Sequence, residues 1–89
     1  MMAVAHTHEL DEALIDSLDW LSDLRDKRAE GIGQARDNAT KMRTYADEVV
    51  QHFFTRDAAL RNAIQYDKIA ERYVREVAQM TRILQEFGR

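Results

Sequence analysis

The sequence predicts an all-α protein, and three observations support that prediction. Proline, which interrupts helices, does not occur, and glycine occurs only at positions 31, 33 and 88. Apolar residues recur at spacings of three and four, which places them on one face of a helix. The alternation of apolar and polar residues that marks a half-buried strand is not found. The chain is therefore expected to form a single helical domain over residues 1–89.

The first helix is predicted over about residues 8–30. Thr7 is suited to the N-cap position, because its hydroxyl can accept a hydrogen bond from a backbone N–H of the first turn. Trp20 is expected to cover the edge of the apolar stripe. That stripe consists of Leu10, Leu14, Leu18 and Leu21, with Ile15 and Leu24 widening it. Gly31 and Gly33 then predict a reversal of the chain, since glycine adopts the backbone conformations of tight turns without strain.

The clearest apolar pattern follows that predicted turn. Its spacings alternate between four and three, as in the heptad repeat of coiled coils, at Ala35, Ala39, Met42, Ala46, Val49 and Phe53. We predict a second helix over about residues 34–54 and a third over about residues 57–87, with a break near residue 55. Thr55 and Asp57 are candidates for the cap of the third helix. The alternative is one unbroken helix over residues 34–87.

These two versions correspond to a three-helix bundle and to an antiparallel helical hairpin. Both leave apolar surface uncovered, so the chain is expected to oligomerise through the apolar heptad seam. The residues predicted to form the interface are Leu14, Leu18, Leu21, Met42, Val49, Phe53, Val74, Val77 and Leu84. A chain of 89 residues has a marginal core, and without cysteine it has no disulfide to support that core. A partner chain is therefore expected.

Charge is distributed unevenly along the chain. The formal net charge of −3 argues against nucleic acid as a ligand. Residues 1–23 contain acidic residues and no lysine or arginine, whereas residues 24–44 contain six basic and three acidic residues. This asymmetry favours antiparallel docking of the two segments, within one chain or between chains. No signal peptide and no membrane-spanning apolar run is recognised, so no membrane contact and a cytoplasmic location are expected.

No metal or cofactor is expected either. His6 and His8 lie at the N-terminus, where a fixed coordination geometry is difficult to hold. Glu48 and His52 are one helical turn apart, a spacing common in surface pairs, and no Glu-x-x-His motif accompanies them. Neither a glycine-rich phosphate loop nor a nucleophile motif occurs.

A second interpretation comes from Arg25, the stretch Ile32-Gly33-Gln34-Ala35-Arg36, and the pair Thr81 and Gln85. In type and spacing these residues resemble the motif of the all-α chorismate mutase family, whose members are dimers of three-helix chains. The resemblance implies conversion of chorismate to prephenate. It assigns Arg25 to a substrate carboxylate, Arg36 and Gln85 to the ether oxygen, and Thr81 to substrate binding. Clamping a dicarboxylate with arginines is physically sensible, because the guanidinium group binds carboxylates in bidentate fashion.

The family alignment also carries the first helix straight through the two glycines that otherwise predict a turn. The family's N-terminal arginine would fall near His8, and its acidic stretch in the second helix would fall on residues 45–49, where the residue types differ.

The favoured function is a non-enzymatic helical interaction module, such as a small adaptor, assembly factor or structural subunit. Such a module would dock through an apolar helical face on a protein partner or on a second copy of itself, as a homodimer or hetero-oligomer. The chorismate mutase-like enzyme is the alternative. A polar cavity lined by Arg25, Arg36 and Gln85 would favour the enzyme. A packed seam with those side chains in solvent would favour the interaction module.

Overall fold

The computed structural model describes the backbone of residues 3–49 and 53–89 and the side chains of residues 11–49 and 55–89. Two helices account for nearly all of these residues: α1 covers Ala3–Glu48 and α2 covers Phe53–Glu86. No strand occurs in the described ranges. The two helices pack along each other. This arrangement confirms the predicted all-α class and agrees with the helical hairpin.

The hairpin is long and narrow, with extents of 76 × 16 × 13 Å. Three ion pairs mark its antiparallel register, in order from the turn to the open end: Arg43–Asp67, Arg28–Glu76 and Asp19–Arg89. The helices differ in length, at 46 residues for α1 and 34 for α2. Since the last residue of the chain pairs with Asp19, the part of α1 that precedes Asp19 extends beyond the end of α2.

Alanine forms most of the contact between the two helices. The buried alanines are Ala35, Ala39 and Ala46 on α1 and Ala59, Ala63 and Ala70 on α2. Small side chains allow the two helix axes to approach closely. Larger apolar residues close the core near the open end, at Leu18, Met80 and Leu84. The predicted heptad pattern is therefore buried at Ala35, Ala39 and Ala46, and there it packs against α2 of the same chain.

The chain reversal predicted at Gly31 and Gly33 is wrong, because α1 continues through both glycines as one helix. The predicted helices over 8–30 and 34–54 are accordingly one element. A glycine inside a helix costs only about 1 kcal/mol relative to alanine, and tertiary packing along a long interface outweighs that cost. Gly31 has a different role: a Cβ there would lie 2.8 Å from Cε2 of Tyr73. The absent side chain lets the Tyr73 ring lie against α1.

The reversal occurs instead between Glu48 and Phe53, so the unbroken helix over residues 34–87 is also wrong. The predicted break near residue 55 thus falls a few residues too late. Valines occupy positions 49 and 50 at the end of α1, and β-branched side chains lower helix propensity. Thr55 and Asp57, predicted as a cap, lie inside α2. Asp57 forms an ion pair of 2.6 Å with Arg61 one turn later.

The C-terminal end of α2 is closed by Gly88, whose φ of +79° is the left-handed conformation that favours glycine. The N–H of Gly88 donates to the carbonyl of Gln85 at 3.0 Å, and the N–H of Arg89 donates to that of Leu84 at 2.9 Å. This pair of hydrogen bonds is the Schellman motif. The turn directs Arg89 back toward α1, where its guanidinium donates to the carboxylate of Asp19.

Candidate functional site

The part of α1 that extends past α2 is the first candidate for a binding surface. We call residues 3–17 the overhang. It spans about 22 Å at 1.5 Å per residue. Because α2 ends at the level of Asp19, no second helix of the described chain covers this segment. A helix with apolar residues and no neighbour to bury them is an unusual feature of a folded protein.

Large apolar side chains are exposed in and beside the overhang. Trp20 is 66% exposed, Ile15 47% and Leu14 38%. Trp20 was predicted to cover the edge of an apolar stripe; it lies beside Leu21 of that stripe, and most of its own surface is exposed. A mainly apolar hollow of about 480 Å³ lies here, lined by Asp16, Ser17, Trp20 and Leu21. The hydroxyl of Ser17 donates to the carbonyl of Ala13 at 2.9 Å, so its hydrogen is already bonded within α1.

Acidic side chains surround this apolar surface. Among the described residues Asp11, Asp16, Asp19 and Asp23 are exposed. The first basic residue of the chain is Arg25. Since the acidic segment and the basic segment over 24–44 belong to the same continuous helix, they cannot dock on each other within one chain. The predicted antiparallel docking of these two segments is therefore possible only between two chains.

A second surface is a groove of about 430 Å³ between the two helices, which we call the interhelical groove. The residues that line it are Leu24, Lys27, Arg28, Gly31, Gln34, Ala35 and Asn38 on α1 and Tyr66, Ile69 and Tyr73 on α2. Its floor is therefore partly aromatic and its rim carries two cations. It begins at Leu24, directly after the hollow of the overhang.

Tyr73 is held in this groove by contacts on several sides. Its ring lies against the backbone of α1 at Gly31. The guanidinium of Arg28 lies 4.8 Å from the ring centroid and that of Arg72 lies 5.6 Å from it. Both guanidinium groups form ion pairs with Glu76, at 3.4 Å and 3.7 Å. The cations over the ring contribute a cation–π attraction, and the shared carboxylate limits their movement.

The predicted interface residues separate into three groups in the structure. Leu18 and Leu84 are buried in the hairpin, and Leu21, Met42, Val49 and Val77 are partly buried. Leu14 and Val74 are exposed, at 38% and 42%. The side chain of Phe53 lies outside the described residues. Most of the predicted seam thus lies in or beside the contact between α1 and α2 of the same chain, and Leu14 is its member in the overhang. Ile15 and Trp20, which the sequence placed at the edge of the stripe, were not among the predicted interface residues, because the end of α2 decides their exposure.

The residues of the mutase resemblance lie at two distant levels of the hairpin. Arg36 is level with Ala70, beside which it lines a second, charged groove. Gln85 is 15 positions further along α2, which is about 22 Å along the axis. Arg25 and Thr81 are at the same level according to the register of the ion pairs. One chain therefore does not bring Arg36 and Gln85 together, although α1 is unbroken as the family alignment requires.

Arg25 makes local contacts on its own helix. Its Nε forms an ion pair of 3.3 Å with the carboxylate of Asp26, and Nη2 donates to the hydroxyl of Ser22 at 3.5 Å. Arg36 and Gln85 are exposed and Thr81 is half-buried. These contacts are ordinary for the surface of a helix.

The ion pair between Arg43 and Asp67 changes the pKa of both side chains. The Arg43 guanidinium donates to the carboxylate of Asp67, and this hydrogen bond lowers the pKa of Asp67. The same hydrogen bond raises the pKa of Arg43. Both groups lie at the surface, so the pair mainly marks the register near the turn.

Two classes of site are not found in the described part of the chain. Its side chains include no group of three or more His, Cys, Asp or Glu that could hold a metal ion. His6, His8 and His52 lie outside the described side chains. Neither α1 nor α2 contains, over the residues described, a stretch that is apolar enough to cross a membrane. No family model, curated protein or solved structure matches the chain.

Proposed function

We propose that this chain is a non-enzymatic helical interaction module that docks through the overhang and the adjoining turn of α1. The observation that carries the proposal is the exposure of Trp20 beside a mainly apolar hollow on a helix that has run past its neighbour. Leu14 and Ile15 are also exposed, on other sides of the same helix. Fully burying a large apolar side chain is worth about 1.5–3 kcal/mol, so Trp20 alone can contribute substantially to binding. Aromatic residues such as tryptophan are also the most frequent hot spots of interfaces.

The acidic residues around this surface restrict the choice of partner. Asp16 and Asp23 are exposed one turn before and one turn after Trp20. A partner helix with basic residues on either side of an apolar stripe would complement them, whereas an acidic partner would be repelled. The charged rim would thus select the partner, and the apolar centre would supply most of the affinity.

Site-specific photo-crosslinking tests this proposal. A photoreactive residue at position 20 should form covalent adducts with protein in the cell that produces the chain. The same residue at position 65, which is exposed on α2, is the matched control and should form few adducts. Equal labelling at the two positions, or none at position 20, would contradict the proposal. The mass of the adduct separates a second copy of the chain from a different partner.

A further inference from the structure

The overhang and the interhelical groove lie on one continuous face of α1. The hollow beside the overhang includes Ser17 and Trp20, and the groove includes Leu24, Arg28 and Gly31. Successive members of this series are three or four residues apart, which is the spacing of one stripe along a helix. A molecule that covers the hollow can therefore continue into the groove along the same side of α1.

The two halves of this face have opposite charge. The half before Leu24 has exposed acidic residues at Asp16 and Asp23, one turn before and one turn after Trp20, and no lysine or arginine. The groove has Lys27 and Arg28 on its rim, within the segment over 24–44 whose net charge is positive. A face that is acidic at one end and basic at the other complements a second copy of itself turned end to end.

The two halves also differ in shape in a complementary way. The first carries protruding apolar side chains, and the second is a depression with an aromatic floor. About a two-fold axis near Leu24, Trp20 of one copy lies level with Arg28 of the other copy.

We propose that two copies of this chain form a reciprocal antiparallel dimer, in which the part of α1 before Leu24 of each copy lies along the interhelical groove of the other. This inference rests on the proposed function and names its partner as a second copy.

Charge argues against the other symmetric pairing, in which two overhangs meet each other. That arrangement would place Asp11, Asp16 and Asp23 of one copy beside the same carboxylates of the other, and like charges across an interface are repulsive. Pairing of overhang with groove removes this repulsion at both contacts of the dimer at once.

The test measures self-association of the full chain by analytical ultracentrifugation together with the emission of Trp20, its single tryptophan. The wild-type chain at about 100 µM should be mainly dimeric, as expected for any Kd below about 10 µM, and its emission should shift to shorter wavelength as the dimer forms. One variant reverses the acids beside Trp20, with Asp16→Lys and Asp23→Lys. A second reverses bases beside the groove, with Lys27→Glu and Lys41→Glu.

Each variant alone should raise the dimer Kd at least about tenfold, because it places like charges at both contacts. An equimolar mixture of the two variants should form a heterodimer with Kd close to that of the wild type, identified by its native mass. All four positions are exposed, so the helical content should not change. Lys68→Glu, an exposed charge reversal on α2 away from the groove lining, is the control and should leave Kd unchanged.

A wild-type chain that stays monomeric overturns the dimer, as does a dimer whose Kd is the same in both charge variants. A dimer that forms without a shift of the Trp20 emission also overturns it. These results leave the proposed function standing if crosslinking at position 20 captures a different protein. Loss of specific crosslinking at position 20 would remove both proposals.

Discussion

Replacing Gly31 with alanine tests the explanation of why a glycine lies in the middle of α1. Alanine normally stabilises a helix by about 0.5–1 kcal/mol relative to glycine. At position 31 the new Cβ would lie 2.8 Å from Cε2 and 3.0 Å from Cδ2 of Tyr73. Arg28 and Arg72 lie over the ring and both are ion-paired with Glu76, so the ring cannot move freely on that side. Crowding of this kind costs about 1–3 kcal/mol.

Gly33 provides a matched control, because a Cβ there would meet no atom within 4 Å. Gly33→Ala should therefore raise the free energy of unfolding by about 0.5–1 kcal/mol. Gly31→Ala should leave it unchanged or lower it by up to about 2 kcal/mol, so the two variants should differ by about 1–3 kcal/mol. Urea unfolding followed by far-ultraviolet circular dichroism, at one protein concentration, measures both values.

The reasoning would be refuted if Gly31→Ala stabilised the chain as much as Gly33→Ala does. A double-mutant cycle gives a further check. In a Tyr73→Ala background the ring is absent, so Gly31→Ala should recover the helix-propensity gain of about 0.5–1 kcal/mol. If the penalty persisted without the ring, its source would lie elsewhere than in the contact between α1 and Tyr73.

Three more predictions follow from the hairpin. Leu84→Ala should lower the free energy of unfolding by about 2–5 kcal/mol, whereas Ile83→Ala, 43% exposed, should cost less than about 1 kcal/mol in the same urea titration. Asp67 has a lowered pKa, so the contribution of its pair with Arg43 is present at neutral pH and is lost as the pH falls through the folded-state pKa of Asp67. Asp67→Asn should accordingly lower the thermal midpoint at pH 7, and the difference from wild type should vanish in acid. If the mutase resemblance reflects an activity, purified chain should convert chorismate to prephenate and Arg25→Ala should abolish the conversion; absence of turnover at high protein concentration would retire that alternative.

Much of the helical structure follows from local sequence properties. The absence of proline and the spacing of Ala35, Ala39 and Ala46 predict a helix with one buried stripe, and all three alanines are buried. The end of α2 just before Gly88 also follows from the sequence, since a glycine after the last apolar residue is the usual signal for the end of a helix. These features depend on residues within one or two turns of each other.

The position of the reversal could not be read in the same way. Two glycines in three residues are a strong local turn signal, yet their cost of about 1 kcal/mol each is small beside the contact of two long helices. The need for glycine at position 31 comes from the Tyr73 ring, which is 42 positions away in the sequence. The tertiary structure alone therefore shows that one glycine serves close packing and that the chain turns after Glu48.

The candidate site shows the same division. Composition alone determined that residues 1–23 are acidic and that residues 24–44 are mainly basic. Whether these segments could meet within one chain depended on where α1 ends, and its continuity from Ala3 to Glu48 excludes that contact. The exposure of Leu14, Ile15 and Trp20 was likewise decided by the shorter length of α2. Helix periodicity specifies which residues share a face, but only the register and length of the neighbouring helix decide which part of that face is covered.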